Sequence, residues 1–427
     1  MELGSKLGAM TLILLIVILG GCSKSPEGKR DLAKQYPEAL QMTVKNAVNL
    51  ARKDALVAMG IEEIKTNFPQ FNPAAFVVLD AGKELASQAD DLDGDGALDQ
   101  ITFVADFTTN ESKAVTVRYA TSGEKKRDYL RRTQAELSHK FGGKWMERKY
   151  EGGQFQNVDL LRVPPEHTDH SLFFRYEGPG WESDKVGYRF YLDWRNAIDI
   201  FGKKTSQMVL QDVGQDGFDS YHEMADWGMD ILKVGESLGI GSIGMWHHGK
   251  VYRVSETDGS TCRISANGPV FSSIQTRYFG WKVGSKKFDL TSNLSITAGS
   301  RLTRHEVVIS GEADNLCTGL VKHKDTEVLQ SAEAGSDWAY FANFGKQSLA
   351  GDNLGMAILY RRSELIQMTE DELSHVLVLK PQNGKLTYYF LAAWEQEPDG
   401  LRTQVEFQEF LDKTVTALNM PVAIKNY

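Results

Sequence analysis

The chain has 427 residues, 41% of them hydrophobic and 10% aromatic, with 48 basic against 57 acidic residues and a formal net charge of −9. That apolar share suits a globular protein with a substantial core. The acidic balance argues against nucleic acid as a partner, and the length fits two domains, one of which can be small.

In chain order, Lys6 precedes an apolar run from Leu12 to Leu19. The run is too short to span a bilayer, which takes ~20 apolar residues. Small residues follow it, the form of a secretory signal. Cys22, directly after Leu19-Gly20-Gly21, resembles the lipid-bearing cysteine of a bacterial lipoprotein signal. An uncleaved anchor, or an ordinary signal with a chance cysteine, is the alternative. Residues 1–21 are therefore read as a signal peptide and 22–35 as a polar tether. The expected location is the bacterial cell envelope, lipid-anchored to a membrane and facing the periplasm or the cell surface. Cys262 and Cys317 can form a disulfide in such a compartment or remain two buried thiols.

Residues 36–121 alternate apolar and polar in several short runs, as in Leu40–Val44, Ile101–Phe107 and Ala114–Tyr119, and read as a small β-sandwich. Within it, Asp91, Asp93, Asp95, Gly96, Ala97 and Asp99 follow the spacing of a calcium loop, with the Ala97 carbonyl at position seven. Position twelve is Thr102, so the bidentate glutamate of a helical hand is missing. Bound Ca²⁺ in a structural role is expected; the alternative is a solvated acidic hairpin. No organic cofactor is expected. The charged stretch 122–140 is compatible with a helical linker. From residue 141 to 427 the chain reads as a large β-sandwich, with strands such as 274–281, 288–296, 356–362 and 385–392 separated by Gly and Asn turns, and a helix near 401–418.

Two constellations carry candidate chemistry. The first spans His167 to Lys204 and contains His170, Trp181, Glu182, Asp184 and Arg195. Period-two alternation over 188–193 sets Tyr188, Phe190 and Leu192 on one face and Arg189, Tyr191 and Asp193 on the other. The second face combines cation, phenol and carboxylate, which suits an acidic sugar. The second constellation runs from Tyr221 through His222, Asp226, Trp227, Asp230 and Lys233 to Trp246. A helix over 220–227 would put His222 and Asp226 on one face, as an acid–base pair or two metal ligands. A capped loop is the alternative. No Gly-x-Ser-x-Gly, His-Glu-x-x-His or Cys-x-x-Cys motif occurs.

The runs Gly178–Asp184, Tyr188–Asp193, Arg195–Lys203 and Trp227–Gly235 resemble an uncharacterised, domain-of-unknown-function family of secreted bacterial proteins and lipoproteins. Its members are often encoded beside genes for degrading uronate-rich polysaccharides. The resemblance implies carbohydrate work, and the strand-rich second half is similar to galactose-mutarotase-like β-supersandwiches. The expected function is an enzyme acting on uronic-acid-containing oligosaccharides, by elimination or dehydration or by hydrolysis. Elimination needs a cation for the carboxylate, a base and an acid. Arg189 or Arg195 can be the cation, His170 or His222 the base, and Tyr191 or Tyr221 the acid. Hydrolysis needs two carboxylates, drawn from Glu182, Asp184, Asp226 and Asp230. The competing expectation is a non-catalytic glycan-binding lipoprotein that stacks sugars on Trp181, Trp227 and Trp246. An envelope protein without a ligand is a third.

Overall fold

A computed structural model describes residues 26–332 and 336–425. The protein is mainly β. The signal peptide and Cys22 lie outside the described residues, and no described helix is long and apolar enough to cross a membrane.

The N-terminal sandwich packs a five-stranded sheet on a three-stranded one. The first orders Ala423–Lys425, Glu38–Lys45, Ser112–Tyr119, Phe76–Asp80 and Lys83–Leu85; the second orders Arg52–Gly60, Gln100–Phe107 and Ser87–Asp90. Leu40, Met42 and Val44 alternate inward against Val57, Met59, Ile101 and Phe103. A short helix, Ile61–Asn67, closes one end by burying Ile61 and Ile64. The chain's last strand, Ala423–Lys425, pairs back onto Glu38–Lys45.

The larger body is built on a nine-stranded antiparallel sheet. It runs from Leu160–Arg162 through Gly259–Asn267, Phe271–Val283, Lys286–Thr297, Leu302–Ile309, Lys385–Trp394, Asn353–Arg361 and Trp338–Lys346 to Thr326–Gln330. Two five-stranded sheets face it. One orders Gly228–Asp230, Ile198–Lys203, Gly187–Phe190, Gly180–Ser183 and Thr133–Glu136; the other orders Lys250–Arg253, Gly244–His247, Leu316–Val321, Ser374–Leu379 and Leu365–Glu370. The core between the layers takes Phe390, Ala392 and Trp394 from the large sheet and Trp181, Tyr188, Ile198 and Ile200 from the facing one. Alternate residues of the central strands bury the opposite way. Tyr340, Ala357, Leu359 and Leu391 meet Phe407, Leu411 and Val415 of the C-terminal helix Gln404–Asn419. Central strands covered on both faces take apolar residues at nearly every position, which explains the runs at 338–342 and 354–360. The helix starts with a capping box between Thr403 and Glu406.

Two expectations are corrected, and the open alternative for the cysteines is decided. Residues 122–140 contain no helix; they run extended into the strands Thr133–Glu136 and Ser138–Phe141. Their charges are used for tethering instead: Arg127 and Tyr129 bond Glu84, and Arg132 reaches both Asp54 and Asp184. The expected tether is helical over Pro26–Gln35. Cys262 and Cys317 are separate buried thiols, with no disulfide between them.

Candidate active site

The facing sheet Gly228–Asp230 to Thr133–Glu136 turns its second face outward, and the candidate site is built there. Tyr188 and Phe190 point into the core, so Arg189 points out. Its cross-strand partner is Asp199, flanked by the core residues Ile198 and Ile200. Phe201 and Asp230 are cross-strand partners one step further. The segment 204–227 leaves the sheet, crosses this outer face and returns, its ends joined by Lys204 N donating to Trp227 O at 2.7 Å. It lays Val209, Leu210, Val213 and Tyr221 on Phe201 and Tyr176.

Arg189 is the centre of the network. Its Nη1 donates to the Tyr221 hydroxyl at 2.8 Å and to Glu177 Oε2 at 3.4 Å. Its Nη2 donates to Asp199 Oδ2 at 2.8 Å, to the Tyr191 hydroxyl at 3.1 Å and to Asp230 Oδ2. The guanidinium lies 4.9 Å from the ring centres of both Tyr191 and Tyr221, cation–π geometry that adds to the hydrogen bonds. Tyr191 donates its own proton to Asp199. Burial, with Asp230 as a like-charged neighbour, raises the Asp199 pKa. Burial pushes the Tyr191 phenol well above its ordinary value, so it stays protonated.

His222 joins this buried network to solvent. Its Nδ1 donates to the Phe218 carbonyl at 2.6 Å, and its Nε2 lies 3.4 Å from Asp230 Oδ2. The imidazole is 43% exposed while Asp230 is 1% exposed, so the histidine is the part of the pair a ligand can reach. The hydrogen bond to Asp230, with the charge of that carboxylate behind it, raises the His222 pKa. A cleft of about 460 Å³ opens at this point. Arg189, Tyr191, Asp199, His222, Asp230 and Lys233 supply its polar wall, and Met229, Leu232, Val234 and Leu349 its apolar wall. Lys233 is exposed and forms no ion pair among the described residues.

Behind the cleft, Arg195 stacks 4.0 Å from the Tyr191 ring centre and bonds Glu177, Asp193 and Asp169. Glu177 thus bridges the two arginines. Burial opposes its charge, but Arg189 and Arg195 win and hold it down to about 2. His170, Leu172, Tyr176 and Glu177 all sit at positive φ, backbone strain concentrated in one segment against the site.

The two sequence constellations therefore share one cleft, through Arg189, Tyr191, His222, Asp230 and Lys233. Other expected site residues are elsewhere. Trp181 is fully buried, stacked on Tyr188 with its Nε1 donating to Thr303 Oγ1 at 2.9 Å, and has no face for a sugar. Glu182 is sealed in by Lys203 and accepts from Val209 N and Leu210 N. Asp184 is held by Arg132 and Gly299 N. Trp227 packs edge-on against Phe201. Trp246 is half-buried against the Leu238–Cys317 cluster of another sheet. His170 lies beside Asp169 and Phe218, outside the cleft wall. Asp226 is exposed and is not the carboxylate beside His222, because 220–222 forms a single 3-10 turn followed by extended backbone. Sequence reasoning omitted Asp199 and Glu177 as site residues. Placing Asp199 opposite Arg189 takes only the register of the hairpin around Asp193–Asn196, which could have been counted.

The acidic loop folds into a tight turn with Gly94 and Gly96 at positive φ. Asp91 accepts from Gly94 N and Gly96 N, Asp93 from Asp95 N, and Asp95 from Ala97 N. Carboxylate oxygens of Asp91, Asp93 and Asp99 lie within 4.8 Å of one another. This all-oxygen donor set fits a hard cation such as Ca²⁺. Asp90 instead turns inward beside Gln88, where burial pushes its carboxyl up to about 7.

A family model described as a domain of unknown function, DUF4861, matches residues 44–424. No curated protein matches the chain significantly. Two solved structures from Enterococcus faecalis are similar over 94% of the chain: a protein in glycosyl hydrolase family 38 (12% identity, TM-score 0.44, 50% of that chain covered) and an alpha-mannosidase (12% identity, TM-score 0.43, 48% covered). The chain spans about half the length of each.

Proposed function

The chain belongs to the DUF4861 family, and we propose that it is a carbohydrate-active enzyme using acid–base chemistry at His222 on uronic-acid-containing oligosaccharides. The observation that carries this reading is the solvent-facing imidazole fixed between the Phe218 carbonyl and buried Asp230, at the mouth of a cleft. In an elimination, the C5–H bond breaks as its proton goes to a base. The electron pair forms the C4–C5 double bond, and the C4–O bond breaks as the leaving oxygen gains a proton. Neutral His222 serves as the base through Nε2, above its raised pKa and free of Asp230, while its Nδ1–H stays on the Phe218 carbonyl. Tyr191, kept as a phenol and lining the cleft, serves as the acid. Arg189 is enclosed by its own partners, so it orients Tyr191, Tyr221 and Asp230 rather than meeting substrate. Lys233 takes over the role of neutralising the uronate carboxylate.

Hydrolysis is the weaker reading. The carboxylates nearest the cleft, Asp199 and Asp230, bond the same Arg189 nitrogen. They therefore stand closer than the ~6.5–9.5 Å of inverting hydrolysis; the ~5–5.5 Å of a retaining pair is within reach, but both are almost fully buried and held by Arg189, which bars a nucleophile's access to a sugar. A stacking glycan binder loses its platforms with the burial of Trp181 and the packing of Trp227 and Trp246. A structural Ca²⁺ in the 91–99 loop, a lipid anchor at Cys22 and an envelope location complete the proposal; the acidic loop geometry supports the first, and the sequence alone the other two. The test is to incubate the purified protein with saturated and unsaturated uronate oligosaccharides and to follow product masses. Loss of water, or cleavage with new unsaturation, supports the reading. Gain of water, or no change, overturns it.

A further inference from the structure

We propose that residues 214–226 are a lid at the edge of the cleft, which it lines through His222, fastened by a proton-dependent latch between His222 and Asp230. The inference rests on reading His222 as the acid–base group of the cleft, but it is tested by protection of the lid rather than by turnover.

The segment 204–227 has two halves with different anchoring. The first is tied down: Val209 N and Leu210 N donate to buried Glu182 at 2.7 and 2.9 Å, Arg175 donates to Gln211 O at 3.0 Å, and Leu210 is fully buried. The second half, from Gly214 onward, has no such ties. Among the described residues its main chain bonds only within itself and to Gly228, through pairs such as His222 N to Asp219 O and Ala225 N to Gly228 O. Apart from the Tyr221 and His222 contacts described below, its side-chain bonds are also local, from Gln215 to Gln211 O and from Ser220 to Asp216. Nearly every residue from 215 to 226 is exposed or half-buried; only Tyr221 is buried. Gly214 and Gly217 sit at φ +72° and +120° at the start of this half, where glycine supplies conformations closed to other residues. A segment with so few buried contacts belongs to the low-stability end of a fold.

Among the described residues, three side-chain contacts hold the lid to the body. The Tyr221 hydroxyl accepts from Arg189 Nη1 at 2.8 Å, its ring packing on Phe201. Phe218 meets the His170 ring edge-on at 4.6 Å. His222 Nε2 faces Asp230 at 3.4 Å. The last is the one that changes with a proton. Facing His222 are Asp230 on the 228–230 strand and Arg189 on the 187–190 strand, with Asp199 of the 198–203 strand bonded to the same guanidinium. Tyr221 is on its own turn, and Tyr191 and Lys233 share the cleft wall. Asp230 favours the imidazolium more than burial and Arg189 oppose it. Closure therefore takes up a proton. Its stabilisation is complete below the ordinary histidine pKa and is lost as pH rises through the raised value.

Hydrogen exchange of the full chain across pH 5 to 9, corrected for intrinsic exchange, tests this. Protection of 214–226 is expected to fall by up to about tenfold per pH unit over the latch window, the limit for one linked proton, while the 271–283 and 286–297 strands stay protected. His222→Gln should leave the lid weakly protected with no pH slope. Tyr221→Phe should lower protection equally at all pH and keep the slope. A flat wild-type profile, a lid as protected as the sheet core, or an unchanged slope in His222→Gln overturns the latch. Turnover lost in His222→Gln together with flat protection would reject the lid while leaving the acid–base reading intact.

Discussion

At the scale of single residues, the site separates the groups that hold, centred on Arg189, from the two proposed to act, His222 and Tyr191. Arg189 satisfies its donors on Asp199, Asp230, Glu177, Tyr191 and Tyr221, and none of those partners is more than slightly exposed. Removing a buried ion's partner costs about 3–5 kcal/mol, because the opposite charges remain without compensation. Arg189→Met should therefore destabilise the protein by about that amount in chemical denaturation. A loss under about 1 kcal/mol would mean the carboxylates are protonated or hydrated without it. His222 is different, since its ion pair is half in water and such pairs contribute about 0–1 kcal/mol. Its substitution should leave the denaturation midpoint nearly unchanged. The alternation of Arg189 and Tyr191 was legible because a strand fixes which residues share a face. The partner of His222 was not. Choosing Asp226 assumed helical spacing, whereas the 3-10 turn at 220–222 ends at once and Gly228, at φ +131°, redirects the chain so that Asp230 arrives instead. Trp181 misled for a related reason: an indole beside acids reads as a sugar platform until its N–H is seen to have a buried acceptor.

Elements show the same division. The acidic loop is legible in the sequence because its Asp and Gly spacing is local; of the five expected ligand positions the structure brings Asp91, Asp93 and Asp99 together. The prediction that follows concerns stability. A cation bound only by the folded state adds stability by mass action, about 2.7 kcal/mol at a hundredfold excess over its dissociation constant. Chelator should therefore lower the thermal midpoint by several degrees, and added Ca²⁺ should restore it. A midpoint unmoved by chelator contradicts the calcium reading. The charged stretch 122–140 was illegible by contrast. Its composition allows a helix, but Lys125, Arg127, Tyr129 and Arg132 each find a distant partner on Gln35, Glu84, Asp54 or Asp184, and those contacts favour an extended strap over local helical bonds.

For the whole molecule, many strands separated by turns announced a mainly β protein, and the strand pairs that form are mostly sequence neighbours. What could not be read was how the two sandwiches meet. Arg132 donates to Asp54 of the small sandwich at 2.6 and 2.7 Å and to Asp184 of the large one at 2.8 Å. Gln88 bonds Val270 N, Phe271 N and Phe271 O across the same junction, and Arg263 donates to Asp91 O at 2.9 Å. These links are expected to couple the two bodies in unfolding. Arg132→Ala should cost about 1.5–3 kcal/mol, the range for hydrogen bonds to a charged group, and should split a single calorimetric transition into two. One sharp transition at an unchanged temperature would show that the clamp couples nothing. The proposed function turns on one solvent-facing histidine set against a buried carboxylate. Its most direct test is the product mass and initial rate on uronate oligosaccharides for wild type and His222→Gln at matched unfolding midpoints. Unsaturated or dehydrated products, with the variant slower by roughly 10²–10⁴-fold as for loss of an acid–base group, are the predicted result; full turnover by His222→Gln would contradict it.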